Sequence, residues 1–213
     1  MDPFQFKTKL DQTIVLGVKA RTVKELMEEL AGVPESSVYF HTHKFLHQHH
    51  YLSPEPPNDL AYWVSEVLNE AELAEQLSSI DVIQFTSLGD LRDRFLEIMR
   101  GWLVSSERTA HAPPGEEFHF MSCRTYVLNT PYRAATLEEF DDCLGNVSVN
   151  TLYFHMFDAR LRLAKGKNDF SAWFADLGKV GLAEAVAALD PYTQTLEGLR
   201  HNIRHLVRTH AAH

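Results

Sequence analysis

The densest set of ligating side chains in this 213-residue chain is the run His41-Thr42-His43-Lys44-Phe45-Leu46-His47-Gln48-His49-His50. If the run is helical, His43, His47 and His50 fall at i, i+4 and i+7 and share one face. Neutral imidazoles ligate divalent transition metals well, and an i/i+4 pair on a helix can grip one ion. These three residues are therefore the candidate metal ligands, for an ion such as zinc, nickel or manganese. A helix rarely completes a site by itself, so an acid or histidine from elsewhere would have to join them. No His-Glu-x-x-His motif accompanies the run. The opposed reading is a polar, partly exposed helix end whose imidazoles bond backbone carbonyls.

His41 and Asp59 form the second candidate site. His41 follows Tyr39-Phe40 on the apolar side of its helix, and Asp59 sits beside Asn58 where the next helix should start. A buried neutral imidazole must place one donor and one acceptor. Two readings stay open. In one, His41 with Asp59 is a hydrogen-bonded pair that locks two helices together. In the other it is a general-base dyad, the aspartate fixing the tautomer of the imidazole.

The chain supplies its own comparison. Phe4-Gln5-Phe6 returns as Phe118-His119-Phe120, and Tyr39-Phe40-His41 returns as Tyr153-Phe154-His155, always 114 positions later. After a four-residue deletion, Asn58-Asp59 and Trp63 are answered by Asn168-Asp169 and Trp173. His41 and Asp59 thus have counterparts in His155 and Asp169. His43 and His47 align instead with Phe157 and Leu161, so any specialised metal chemistry belongs to the first half only. Trp63 and Trp173 read as core aromatics before they read as stacking platforms.

Other chemistries find little support. The sequence has no Gly-x-Ser-x-Gly elbow, no P-loop and no Gly-x-Gly-x-x-Gly turn. Cys123 and Cys143 lack neighbours that would mark a reactive thiol, and two cysteines make no disulfide framework. The net charge of −9 argues against nucleic acid or an anionic membrane as partner. Arg200, Arg204 and Arg208 form a basic stripe at i, i+4 and i+8, read as a solvated helix face. Arg92 and Arg200 are expected in internal ion pairs with acids such as Asp81, Glu75, Asp190 or Glu184. No signal peptide and no membrane span are visible, so a soluble, cytoplasmic protein is expected.

The elements that must position these groups are mostly helical by pattern. Thr22-x-x-Glu25 and Thr136-x-x-Glu139 read as capping boxes. A second helix should start near Pro34 and run through the histidines. Asn58 and Asn168 should cap a third, with Leu60, Val64 and Val67, or Phe170, Phe174 and Leu177, on its buried stripe. Phe4-x-Phe6 with Thr13–Leu16, and Phe118-x-Phe120 with Thr125–Leu128, are β-prone enough for one or two short strands. The expectation is a mainly α protein, or an α+β one with short strands, built from two related helical halves of an internal duplication in pseudo-two-fold packing. The boundaries read as 1–104 for the first repeat, 105–117 for the linker and 118–213 for the second.

The strings Tyr39-Phe40-His41-Thr42-His43, Pro56-Pro57-Asn58-Asp59-Leu60-Ala61-Tyr62-Trp63-Val64 and Leu73-Ala74-Glu75 resemble a bacterial and archaeal family of unknown function. The resemblance extends to Asn168-Asp169-Phe170-Ser171-Ala172-Trp173 and implies a full-length member without assigning an activity. Three functions remain in view. The first is a non-enzymatic ligand-binding or regulatory module, for a small molecule or partner protein of unknown identity. The second is a metal-dependent hydrolase using His43 and His47, with His41 or Asp59 moving a proton. The third is an interaction partner that docks on a larger enzyme.

Overall fold

The computed structural model describes residues 2–44, 57–106, 110–163, 167–189 and 195–211. In chain order the elements begin with β1 (Phe4–Ala20), α1 (Val23–Gly32), α2 (Glu35–Tyr39) and a π-helical turn at Phe40–Lys44. There follow α3 (Asp59–Glu66), α4 (Ala71–Ser78), a 3-10 turn at Val82–Gln84 and α5 (Leu88–Ser105). The order then repeats in kind: β2 (Phe118–Ala134), α6 (Leu137–Asn146), α7 (Val149–Tyr153) and a second π-helical turn at Phe154–Asp158. It ends with α8 (Ala159–Leu163), α9 (Asp169–Asp176), α10 (Val180–Ala187) and α11 (Leu196–Ala211).

The expected mainly α fold of two duplicated helical halves is corrected to α+β. Helices are joined by two 17-residue strands, β1 and β2, paired antiparallel with each other. Local pattern broke each strand into short pieces because the central residues are polar and apolar without clean alternation. In β1 the glycine at position 17 adds to the break. Gly17 holds φ +73°, a conformation that strains any residue with a side chain, yet β1 runs on through it to Ala20. The pairing of β1 with β2 joins segments more than a hundred residues apart, which no local periodicity can signal.

Two compact units are built on these strands. A central unit comprises residues 11–124, and a terminal unit comprises residues 1–10 with 125–213. Each strand therefore gives its first residues to one unit and its remainder to the other. In the terminal unit Phe4 and Phe6 of β1 pack on Phe140 of α6 and Phe170 of α9, with ring centroids 5.2–6.0 Å apart. Phe6, Phe140, Phe170 and Phe174 are fully buried there. In the central unit Phe118 and Phe120 of β2 occupy the corresponding place, Phe118 lying 5.6 Å from Trp63 of α3. Each such side chain adds roughly 1.5–3 kcal/mol of hydrophobic stabilisation.

The helix starts follow the capping residues. Thr22 and Thr136 accept hydrogen bonds from the N–H groups of Glu25 and Glu139, at 3.1 and 3.2 Å. The glutamates close the box one residue further back than the standard arrangement. Glu25 accepts from the N–H of Arg21 and Glu139 from that of Ala135, rather than from the cap residues themselves. Asn58 and Asn168 cap α3 and α9, accepting from Ala61 and Ser171 at 2.9 and 2.8 Å. Val33 leaves the helical region before Pro34, as the clash of a proline with the preceding residue requires, and this ends α1.

Candidate functional site

The two π-helical turns carry the histidines. A π turn widens the helix by one residue and is common at functional positions. In the first turn the Thr42 hydroxyl donates to the Val38 carbonyl at 2.6 Å. That bond is not the cause of the widening, since Met156 occupies the same place in the second turn. What both turns share is Tyr-Phe-His at their entry.

His41 lies in the central unit with its side chain almost wholly enclosed. Its Nδ1 is 2.5 Å from Asp59 Oδ2, and its Nε2 accepts the main-chain N–H of Met121 in β2 at 2.9 Å. An N–H can donate only to a nitrogen without a proton, so the ring is the Nδ1–H tautomer and donates to the carboxylate. His155 repeats the arrangement in the terminal unit. Its Nδ1 is 2.7 Å from Asp169 Oδ2, and its Nε2 accepts the N–H of Lys7 in β1 at 2.8 Å. Aromatic rings wall in both imidazoles: Phe40, Phe118 and Phe120 around His41, and Phe4, Phe154 and Phe170 around His155.

Each imidazole thus spans from a helix N-terminal aspartate to the backbone of a strand. A general base must present a free lone pair to its substrate. In both rings that lone pair is occupied by a backbone donor.

His43 does not join His41 and Asp59. It is buried, stacks on Tyr39 with ring centroids 5.5 Å apart and nearly parallel planes, and has Nδ1 3.1 Å from the Thr42 hydroxyl. His47 and His50 lie outside the described residues. Among the described residues no three histidine, cysteine, aspartate or glutamate side chains converge on a point that could hold a metal ion.

The chain matches the family of unknown function DUF5752 over residues 1–208. It belongs to that family. A similar solved structure is that of OrfY from Thermoproteus tenax, 26% identical with a TM-score of 0.81, covering 100% of this chain and 97% of that one. No curated protein matches.

This DUF5752 member also holds polar groups that sequence reasoning missed. In the terminal unit Lys9 Nζ and Asp158 Oδ2 are 2.6 Å apart, both side chains buried, and Lys9 lies 5.3 Å from the Tyr153 ring centre. In the central unit Lys44 donates to the Thr13 hydroxyl at 2.8 Å and lies over Phe40. The signal was faint: a lysine within an extended run reads as solvent-facing unless its partner is known.

The basic stripe of α11 is not a simple solvated face. Arg204 grips Asp141 with two bonds of 2.7 and 3.1 Å, and Arg208 adds a third at 2.9 Å. Burial works to raise the Asp141 carboxyl, but the hydrogen bonds and charges of Arg204 and Arg208 outweigh it and hold the carboxyl below its ordinary value. Arg200 donates to the carbonyls of Leu144 and Val147, so it satisfies the C-terminal end of α6. Its Nε lies 3.1 Å from Glu197 but out of line for a hydrogen bond. Burial, with the charge of Glu139 next, pushes the Cys143 thiol above its ordinary value, which disfavours the nucleophilic thiolate. Among the described residues no helix is long and apolar enough to cross a membrane.

Proposed function

We propose that this protein is a non-enzymatic α+β module that binds a ligand or regulates a partner in the cytoplasm, and that its paired histidines are scaffold. One observation carries this reading: both ring nitrogens of His41 and of His155 are committed, one to a carboxylate and one to a strand N–H. The geometry that would make His41 and Asp59 a proton-transfer dyad is spent on holding β2. The net charge of −9 favours a small molecule or a protein over nucleic acid as the ligand.

The competing metal-dependent hydrolase would rest on His43, His47 and His50. Elemental analysis of protein purified without a histidine tag separates the two, combined with a thermal-shift screen of small metabolites. The binding module predicts substoichiometric metal and metabolites that raise the melting temperature without being consumed. Stoichiometric zinc, nickel or manganese that disappears in a His43→Ala/His47→Ala double variant would overturn it. So would hydrolysis of any compound that is lost in His41→Ala.

A further inference from the structure

Two strands make the sheet seen among the described residues, so each has one side that does not face its partner. Along an antiparallel strand the N–H and C=O of a residue point to the same side, and the side alternates residue by residue. Contacts within the terminal unit fix the sides of β2. The carbonyls of Thr130 and Tyr132 accept from the Gln5 side chain of β1, at 2.9 and 3.2 Å. The carbonyl of Arg133, one residue on, accepts instead from the Cys143 thiol of α6. Even-numbered groups therefore face β1 and odd-numbered groups face outward. Pro131 agrees, since proline has no N–H and is tolerated only where the ladder needs none. Val127 and Asn129 belong to the same outward set.

The surface around this edge is apolar. Val127 and Leu128 are each 50% exposed and Tyr126 is 44% exposed, while Leu10 of β1 is more exposed still. In a chain of net charge −9, the seven residues Thr125-Tyr126-Val127-Leu128-Asn129-Thr130-Pro131 carry no charge. An exposed, β-prone, uncharged edge is what natural proteins avoid unless another strand covers it. The opposite edge is managed differently: there His155 takes the outward N–H of Lys7.

We propose that the β2 edge of the terminal unit is a self-association surface, where β2 of a second copy pairs antiparallel about a two-fold axis at Leu128. Val127 of one copy then exchanges hydrogen bonds with Asn129 of the other, and the reverse. Leu128 faces Leu128, and Tyr126 faces Thr130 of the second copy, an aromatic against a β-branched residue. No like charges meet in this register, so the segment is complementary to itself. The missing N–H of Pro131 ends the pairing on each side. Closed two-fold symmetry needs only this one patch on each copy.

The test is sedimentation equilibrium of the full chain from about 1 μM to about 1 mM, the range a small interface demands. The mass should rise from 24.3 kDa towards twice that value. Val127→Pro removes an outward donor that β1 does not use, and Leu128→Lys sets two cations face to face. Both should stay at the monomer mass throughout, with an unchanged circular dichroism spectrum. Under mild oxidation Leu128→Cys should give a disulfide-linked dimer, because facing residues of a non-bonded antiparallel pair stand about 4.5 Å apart at Cα. A wild-type mass constant at 24.3 kDa would overturn the proposal, and would leave the edge to a strand from a different protein. So would dimers that persist undiminished in Val127→Pro and Leu128→Lys.

Discussion

Replacing His155 by phenylalanine tests how the strands are held. The substitution keeps an aromatic ring against Phe4 and Phe170 while removing both ring nitrogens. Two groups each lose a hydrogen bond: the Lys7 N–H, which donated to Nε2, and Asp169, which accepted from Nδ1. The Lys7 N–H lies in a half-buried stretch of β1 against His155, itself only 3% exposed, so the orphaned donor costs a desolvation of about 1–3 kcal/mol. Asp169 is 16% exposed in its side chain, so water compensates it in part, and its share is about 1 kcal/mol. The expected loss is about 2–4 kcal/mol of unfolding free energy, read by urea denaturation. Hydrogen exchange gives the local readout, because the amide of Lys7 should lose protection relative to that of Met121. Unchanged stability together with an equally protected Lys7 amide would refute the reasoning.

Other expectations follow from the same geometry. Trp63 Nε1 donates to the Glu116 carbonyl at 2.8 Å, whereas the buried Trp173 Nε1 meets no hydrogen-bond partner among the described residues. Trp63→Phe should therefore cost about 1 kcal/mol more than Trp173→Phe in matched urea titrations. Asp141→Asn should destabilise at neutral pH. The native carboxyl titrates below its ordinary value of 3.8, so its contribution is fully present above that value and fades as pH falls through the depressed one. Wild type and variant should converge in acid, and a gap that stays constant down to the lowest pH would contradict the pairing with Arg204 and Arg208. Thr22→Ala and Thr136→Ala should each cost about 1 kcal/mol through loss of the cap, measured by thermal unfolding.

What was legible in the sequence was local. Thr22, Thr136, Asn58 and Asn168 announced helix starts because a cap acts on an N–H two or three residues away. Leu60 and Val64, like Phe170 and Phe174, mark the buried stripes of α3 and α9 because helical period survives in one short window. The retained His and Asp residues suggested paired imidazoles, and both pairs are present. Their other partners, Met121 and Lys7, were out of reach, because a backbone N–H has no residue type to recognise. The strands are hidden in the sequence for a related reason. Their length depends on a mate far along the chain, so a segment such as Lys7–Gln12 shows no strand signal by itself. Arg204 and Arg208 look solvated in the sequence because nothing near them discloses Asp141, more than sixty residues earlier.

The division of β1 has a consequence for the order in which the protein takes shape. The central unit is drawn from residues 11–124, so its whole sequence precedes most of the terminal unit in synthesis. The terminal unit needs Phe4 and Phe6 together with Phe140, Phe170 and His155. Phe4 and Phe6 must therefore wait, unsatisfied, until the helices that follow β2 have been made. Closing so long a loop is slow, and it leaves apolar surface open in the interval. A fusion or sequence change that delays the N-terminal segment should act on the C-terminal half of the polypeptide, and do so during synthesis rather than in the finished protein.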